Sequence, residues 1–135
     1  VSELAWRELK KVCELSGGFS PEACNFVREG LAHTVRMIHG EAAASTPPAQ
    51  GDDSRHVNGQ QLCLGLKDYA IKRYGLLART VLGRWGIQRT DDFGRIVFAM
   101  IDVGIMRKTA EDSMEDFCGV FDFDEAFGAG LTSAR

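Results

Sequence analysis

RWGIQRTDDFGRIVFAMIDVGIM, residues 84–106, reads as a turn, a helix and a turn, and its reading decides the fold. The Thr90 hydroxyl is placed to cap a helix start, and Asp91 and Asp92 fall in the first turn, where the helix dipole favours acids. Phe93, Ile96, Val97, Met100, Ile101 and Gly104 then recur at three- and four-residue spacing, which predicts a helix over residues 90–104 with one apolar stripe.

Working upstream, Gly86 ends a short helix over residues 76–84, with Leu77, Val81 and Trp85 inward and Ile87 folding back. Before it, Asn58 and Gln61 have the spacing of a capping box. They open a helix over 58–75 in which Leu62, Leu66, Tyr69, Ala70 and Arg73 share a side. Gly75 closes it, with Leu76 set for the apolar contact of a Schellman ending. Ser20-Pro21-Glu22 starts another helix, because proline is tolerated at the first helical position. Its stripe is Phe26, Val27, Gly30, Leu31, Thr34, Val35 and Ile38, running to Gly40. A first helix over residues 3–15, capped by Ser2, places Leu4, Ala5, Leu9, Val12 and Cys13 near one face and ends at Gly17-Gly18. Between these blocks, EAAASTPPAQGDDSR (residues 41–55) has adjacent prolines and almost nothing to bury, which predicts a flexible linker or insertion.

Downstream the periodicity changes. Phe117, Gly119, Phe121 and Phe123 alternate with Cys118, Val120 and Asp122, the two-residue period of a strand. A partner strand at Ile105–Lys108, with residues 109–116 as the loop, completes an expected β-hairpin, and residues 128–135 read as a frayed tail. The chain is thus expected to be a mainly α (α+β) single domain over 1–135. A helical pair (1–40) precedes five helices' remaining three and an acidic hairpin in a 56–127 unit, and residues 56–123 follow the element order of a winged helix-turn-helix.

With 135 residues and 26% charged side chains, the composition is that of one ordinary globular domain, and no apolar run approaches membrane-spanning length. VSELAWRELKKVCEL has no signal-peptide cleavage pattern, and four scattered cysteines form no CxxC. Both point to a reducing, cytoplasmic setting. Charge is segregated. Residues 1–108 carry 15 Lys+Arg against 12 Asp+Glu, whereas residues 109–127 carry seven acids and no base.

That segregation argues against a conventional DNA reader. Opposite the apolar stripe of the 90–104 helix lie Asp92, Arg95, Ala99 and Asp102, with Phe98 at the flank, and the expected wing carries Glu111, Asp112, Glu115 and Asp116. Carboxylates repel a phosphate chain. Phe98, Asp102 and the four wing acids suit a protein interface instead, either with a partner or with a second copy. Nucleic-acid contact through Arg79, Arg84, Arg89 and Arg95 is the disfavoured alternative. Asp122, Asp124 and Glu125 have a further use: capping, or pairing with the arginines of the body.

No GxSxG, phosphate-loop, GxGxxG or HExxH pattern occurs, and DFDEAFGAG lacks the acid spacing of an EF-hand, so no cofactor or metal is expected. His33 and His39 are six apart on one helix and point to different faces. An enzymatic reading would centre on His56 and Cys63, with Tyr69 nearby, and requires the thiol and imidazole within hydrogen-bond reach.

HVNGQQLCLGLKDYA, YGLLARTVLGRWGIQRTDDFGRIVFAM and EDFCGVFDFDEAF, together with PEACNFVREGLAHTV, resemble a family of small planctomycete and verrucomicrobial hypothetical proteins. The pattern departs at Asn58, where Ser is usual, and at Ala99, where Asn is usual. The resemblance implies a one-domain cytoplasmic protein and carries over no functional residue.

Overall fold

A computed structural model of the chain describes residues 2–3, 19–40, 56–102, 106–108 and 111–132, with side chains described from 19 to 127 within those ranges. The expected 3–15 helix, apart from Glu3, and the 41–55 linker lie outside the described residues. Helix α1 (Pro21–His39) begins where Ser20 accepts the Ala23 N–H at 3.2 Å, and ends at Gly40. Helix α2 (Gly59–Tyr74) opens on the full Asn58–Gln61 capping box, with both side chain to backbone bonds formed at 2.7 and 2.9 Å. A 3₁₀ turn η1 (Gly75–Leu77) leads into α3 (Ala78–Arg84), and α4 (Thr90–Asp102) follows. Then come strand β2 (Met106–Arg107), a second 3₁₀ turn η2 (Met114–Phe117) and helix α5 (Phe123–Thr132). No helix among the described residues is long and apolar enough to cross a membrane.

Two glycines decide how α1 and α2 meet. A Cβ on Gly65 would run into the Thr34 side chain, and one on Gly30 into Leu66. Without them the helices cross at close range, and Thr34 turns its hydroxyl back to the Gly30 carbonyl at 2.7 Å, so that its own buried donor is satisfied. Around this crossing Phe26 gathers the rings of Tyr69, Tyr74, Trp85 and Phe93, at centroid distances of 5.5 to 6.4 Å. Phe93, Ile96, Val97 and Met100 of α4 complete the core, in agreement with their stripe.

The C-terminal hairpin does not form, and the winged-helix order goes with it. Met106–Arg107 is extended but pairs antiparallel with β1 (Ser2–Glu3), so Ser2 is a strand residue and not a helix cap. The stretch 117–123 is the end of η2, a turn and the start of α5. Two caps produce this. Ser113 and Asp116 form a reciprocal box that opens η2, and Asp122 accepts the N–H groups of Asp124 (2.8 Å) and Glu125 (3.2 Å) to open α5. Gly119 supplies the left-handed residue between them, at φ +60°. Helix α5 continues to Thr132, through much of the segment expected to fray. The alternating phenylalanines are still inward, as Phe117, Phe123 and Phe127 are buried, but on turns and helix rather than on a strand.

Smaller corrections concern apolar residues at helix ends. Leu76 and Leu77 are exposed, because the 3₁₀ turn η1 rotates the face so that Ala78 and Leu82 point inward. Ile38 is exposed in the last turn of α1. Gly86, at φ +88°, reverses the chain as expected, and buried Ile87 returns its N–H to the Leu82 carbonyl at 2.9 Å.

The close crossing makes a directional prediction. Gly65→Ala should destabilise by about 1–3 kcal/mol through overpacking against Thr34. Gly83→Ala in α3, where a Cβ meets only the ends of Arg79 and Gln88 side chains, should stabilise by about 0.5–1 kcal/mol. Urea unfolding of the two variants measures both.

Candidate functional site

Residues 111–118 form a ridge whose placement on the helices creates two concavities. Phe117 is fully buried, and its ring reaches to 2.9 Å of where a Cβ on Gly59 would stand. On the other side Phe117 and Met114 come within 2.8 Å of a Cβ position on Gly94. Beyond η2 the turn is fastened to the start of α4: Val120 donates its N–H to the Thr90 hydroxyl at 3.2 Å, and Gly119 donates to Asp91 at 3.4 Å. Thr90 is therefore occupied by this turn. The start of α4 is capped instead by Asp92, whose carboxylate accepts the N–H groups of Gln88 (2.8 Å) and Arg89 (3.3 Å).

The first concavity is an open groove of about 610 Å³ between α4 and η2, lined by Asp91, Arg95, Phe98, Ala99, Asp102, Met114 and Cys118. Phe98 is half-buried, set edge-on to Phe117 at 6.1 Å, with the Lys108 ammonium 5.8 Å above its ring. Asp91, Arg95, Phe98 and Asp102 follow the helical spacing i, i+4, i+7, i+11, which puts them on one face of α4. The predicted exposed face is thus rotated. Asp92 and Ala99 are buried, Asp91 replaces Asp92 in the groove, and Ala99 only contributes to its floor. The Arg95 guanidinium lies 3.5 Å from Asp92.

The second concavity, about 340 Å³, lies where the ridge meets the start of α2 and is lined by His56, Asn58, Gln60, Gln61, Glu111, Asp112 and Asp116. His56 Nε2 is 3.3 Å from an Asp112 carboxylate oxygen, and the His56 carbonyl lies 2.6 Å from His39 Nε2. Asp112, expected as an outward wing acid, is 5% exposed and ties the ridge to His56. Glu111 and Asp116 line the pocket, and Glu115 is exposed on η2 in neither concavity. Among the described residues that line the pocket there is no hydroxyl or thiol nucleophile. Among the described residues no group of three or more His, Cys, Asp and Glu side chains is placed to hold a metal ion.

The thiol needed for a Cys63–His56 pair is not in the pocket. Cys63 is fully buried, and desolvation, with Asp91 and Cys118 acting the same way, pushes its thiol far above the ordinary range. Cys118 at the groove wall is also pushed up, by desolvation and by Asp91. Tyr69 packs on Phe26 and on the His33 ring at 5.3 Å, away from any nucleophilic arrangement. His33 meets Asp68 of α2 at 2.7 Å, and Lys72 reaches the same carboxylate oxygen at 3.1 Å.

The arginines proposed for nucleic acid divide. Arg79 is engaged with Asp124 (3.2 Å) and Gln88 (3.1 Å) and lies 5.5 Å over the Phe123 ring. This pair joins the basic body to the acidic end, as the charge pattern suggested. Arg84 and Arg89 are exposed, and Arg95 is the member of the set that lines the groove. Met114 and Cys118, which build the opposite wall, carried no sequence signal because their positions follow from the turn.

Two outcomes check this geometry. In the native protein iodoacetamide should modify Cys118 and leave Cys63 and Cys24 unmodified until the chain unfolds, as read by peptide mass spectrometry. The hydrogen bond from His33, supported by Lys72, holds the Asp68 carboxyl below its ordinary range despite some desolvation. Its contribution is present above the unfolded value of about 3.9 and lost as pH falls through the lower folded value. The stability difference between wild type and Asp68→Asn, small because the pair is partly exposed, should therefore be present at about pH 6 and shrink as pH falls below the unfolded carboxyl value of about 3.9. Compared with protein-family models, with curated proteins and with solved structures, the chain finds no match.

Proposed function

We propose that this chain is a non-catalytic protein-interaction module that receives a segment of a partner protein in the groove between α4 and η2. The observation that carries the reading is Phe98, a half-buried ring in a groove with Met114 and Ala99 beside it and charged residues around it. An aromatic anchor on a partly apolar floor with a polar rim is the usual anatomy of a recognition surface. Met114 adds adaptability, since an unbranched thioether reshapes itself to a ligand at little cost. The thiol–imidazole pair that an enzymatic reading needs is not assembled, because Cys63 is fully buried and lies outside the lining of the His56 pocket.

The test is a photo-crosslinking amino acid placed at Arg95 inside the groove, or at Lys72 on α2 as a control, in the protein expressed in its native host. The position-95 probe should give a discrete protein adduct that Phe98→Ala removes, while the position-72 probe gives none of that species. Adducts indifferent to Phe98→Ala, equal at both positions, or absent at position 95 would contradict the reading.

A further inference from the structure

The outward side of α2 carries a pattern that the groove does not use. Leu64, Lys67, Asp68 and Ile71 stand at i, i+3, i+4 and i+7, which puts them on one side of the helix, away from buried Leu62, Leu66 and Ala70. Leu64 and Ile71 are 47% and 44% exposed, so both have apolar surface still to bury. The four are symmetric about the midpoint between Lys67 and Asp68, with apolar residues outside and opposite charges inside. A second α2 running antiparallel across the first, related to it by a two-fold axis through that midpoint, sets Leu64 against Ile71 and Lys67 against Asp68, each pair twice.

Both charges have capacity for such a pair. Lys67 makes its contact within the chain to a ring, with Nζ 5.6 Å from the Phe121 centroid, and not to a carboxylate. Asp68 meets His33 and Lys72 through one oxygen, Oδ2, so Oδ1 stays an acceptor. The other large apolar side chains exposed among the described residues flank the same helix. The α1–α2 crossing is antiparallel, with Phe26 by Tyr74, Gly30 by Leu66 and Thr34 by Gly65. Exposed Met37 and Ile38, at the end of α1, therefore lie toward the start of α2, while Leu76 and Leu77 lie just past its end. An antiparallel pair brings the leucine end of one copy to the Met37 end of the other.

We infer that two copies of this chain associate through α2, antiparallel, about a two-fold axis at Lys67 and Asp68. Apolar contact runs along the helix, about 24 Å for its 16 residues, and the central ion pairs set the register. A parallel pairing would put Lys67 against Lys67 and is disfavoured. The contact uses none of the residues that line the groove between α4 and η2, so it stands apart from the partner-segment reading. Two helices of this length make an interface at the small end of the range, below about 1,200 Å², so the dimer dissociates on dilution.

Sedimentation of the full chain, from micromolar to millimolar concentration, reads the monomer–dimer equilibrium. Leu64→Glu and Ile71→Lys, both at exposed positions, should each weaken self-association roughly tenfold or more, because each sets a charge against an apolar side chain twice. Mixed in equal amounts, the two variants regain one apolar pair and gain one ion pair in the antiparallel register, so a heterodimer should return, tighter than either variant alone by roughly tenfold. Lys67→Glu, which sets acid against Asp68 twice, should also weaken the dimer. A wild-type chain that stays monomeric throughout the range, a dimer indifferent to Leu64→Glu, or a mixture no tighter than its components would overturn the inference.

Discussion

Phe117 docks in the space left by two missing Cβ atoms, its ring against Gly59 of α2 and its Cβ against Gly94 of α4. The rest of the C-terminal architecture depends on that contact. It presses η2 onto the junction of two helices, so that Met114 and Cys118 become one wall of the groove and Asp112 and Asp116 one wall of the pocket. A buried phenylalanine contributes on the order of 1.5–3 kcal/mol by leaving water. Three short polar links then fix the ridge in register. Asp112 holds His56, Val120 holds Thr90, and Gly119 holds Asp91. The groove and the pocket are consequences of one docking event.

The acidic C-terminal block serves two ends. Asp112, Asp122 and Asp124 are used inside the fold, for an ion pair with a histidine, a helix cap and a bridge to Arg79. Asp116 does both, capping η2 while it lines the pocket with Glu111, and Glu115 is exposed on η2. A charge run that looks uniform along the chain is thereby sorted by the partners that each acid meets in the fold. The same sorting acts on α4, where Asp91 faces the groove while Asp92, its neighbour, is buried as the cap of its own helix.

Much of the helical framework was legible because its signals are local. The Asn58–Gln61 box, Ser20-Pro21, Gly75, Gly86 and the Phe93–Met100 stripe mark boundaries that need no tertiary information. Residues 117–123 misled because alternation of Phe with small and polar residues fits a strand, while the competing cues were shorter. Asp122 followed by Asp124-Glu125 is a helix start, and Ser113 with Asp116 is a capping box, and each required weighing a cap above a period. The helical face placed Phe98 and Asp102 outside the apolar stripe, and both line the groove. The positions of Met114, Cys118 and Asn58 in the concavities were not legible, since they depend on where η2 docks. Cys63 is a reactive residue type that lies in the core, outside the His56 pocket.

Backbone and side-chain nuclear magnetic resonance tests the docking of η2 most directly. Helical ¹³Cα shifts over residues 123–127, with nuclear Overhauser contacts from the Phe117 ring to Gly59 and from the Phe117 Hβ protons to Gly94, are the result this structure requires. Extended shifts over residues 117–123, with cross-strand contacts to residues 106–108, would restore the hairpin and remove the groove.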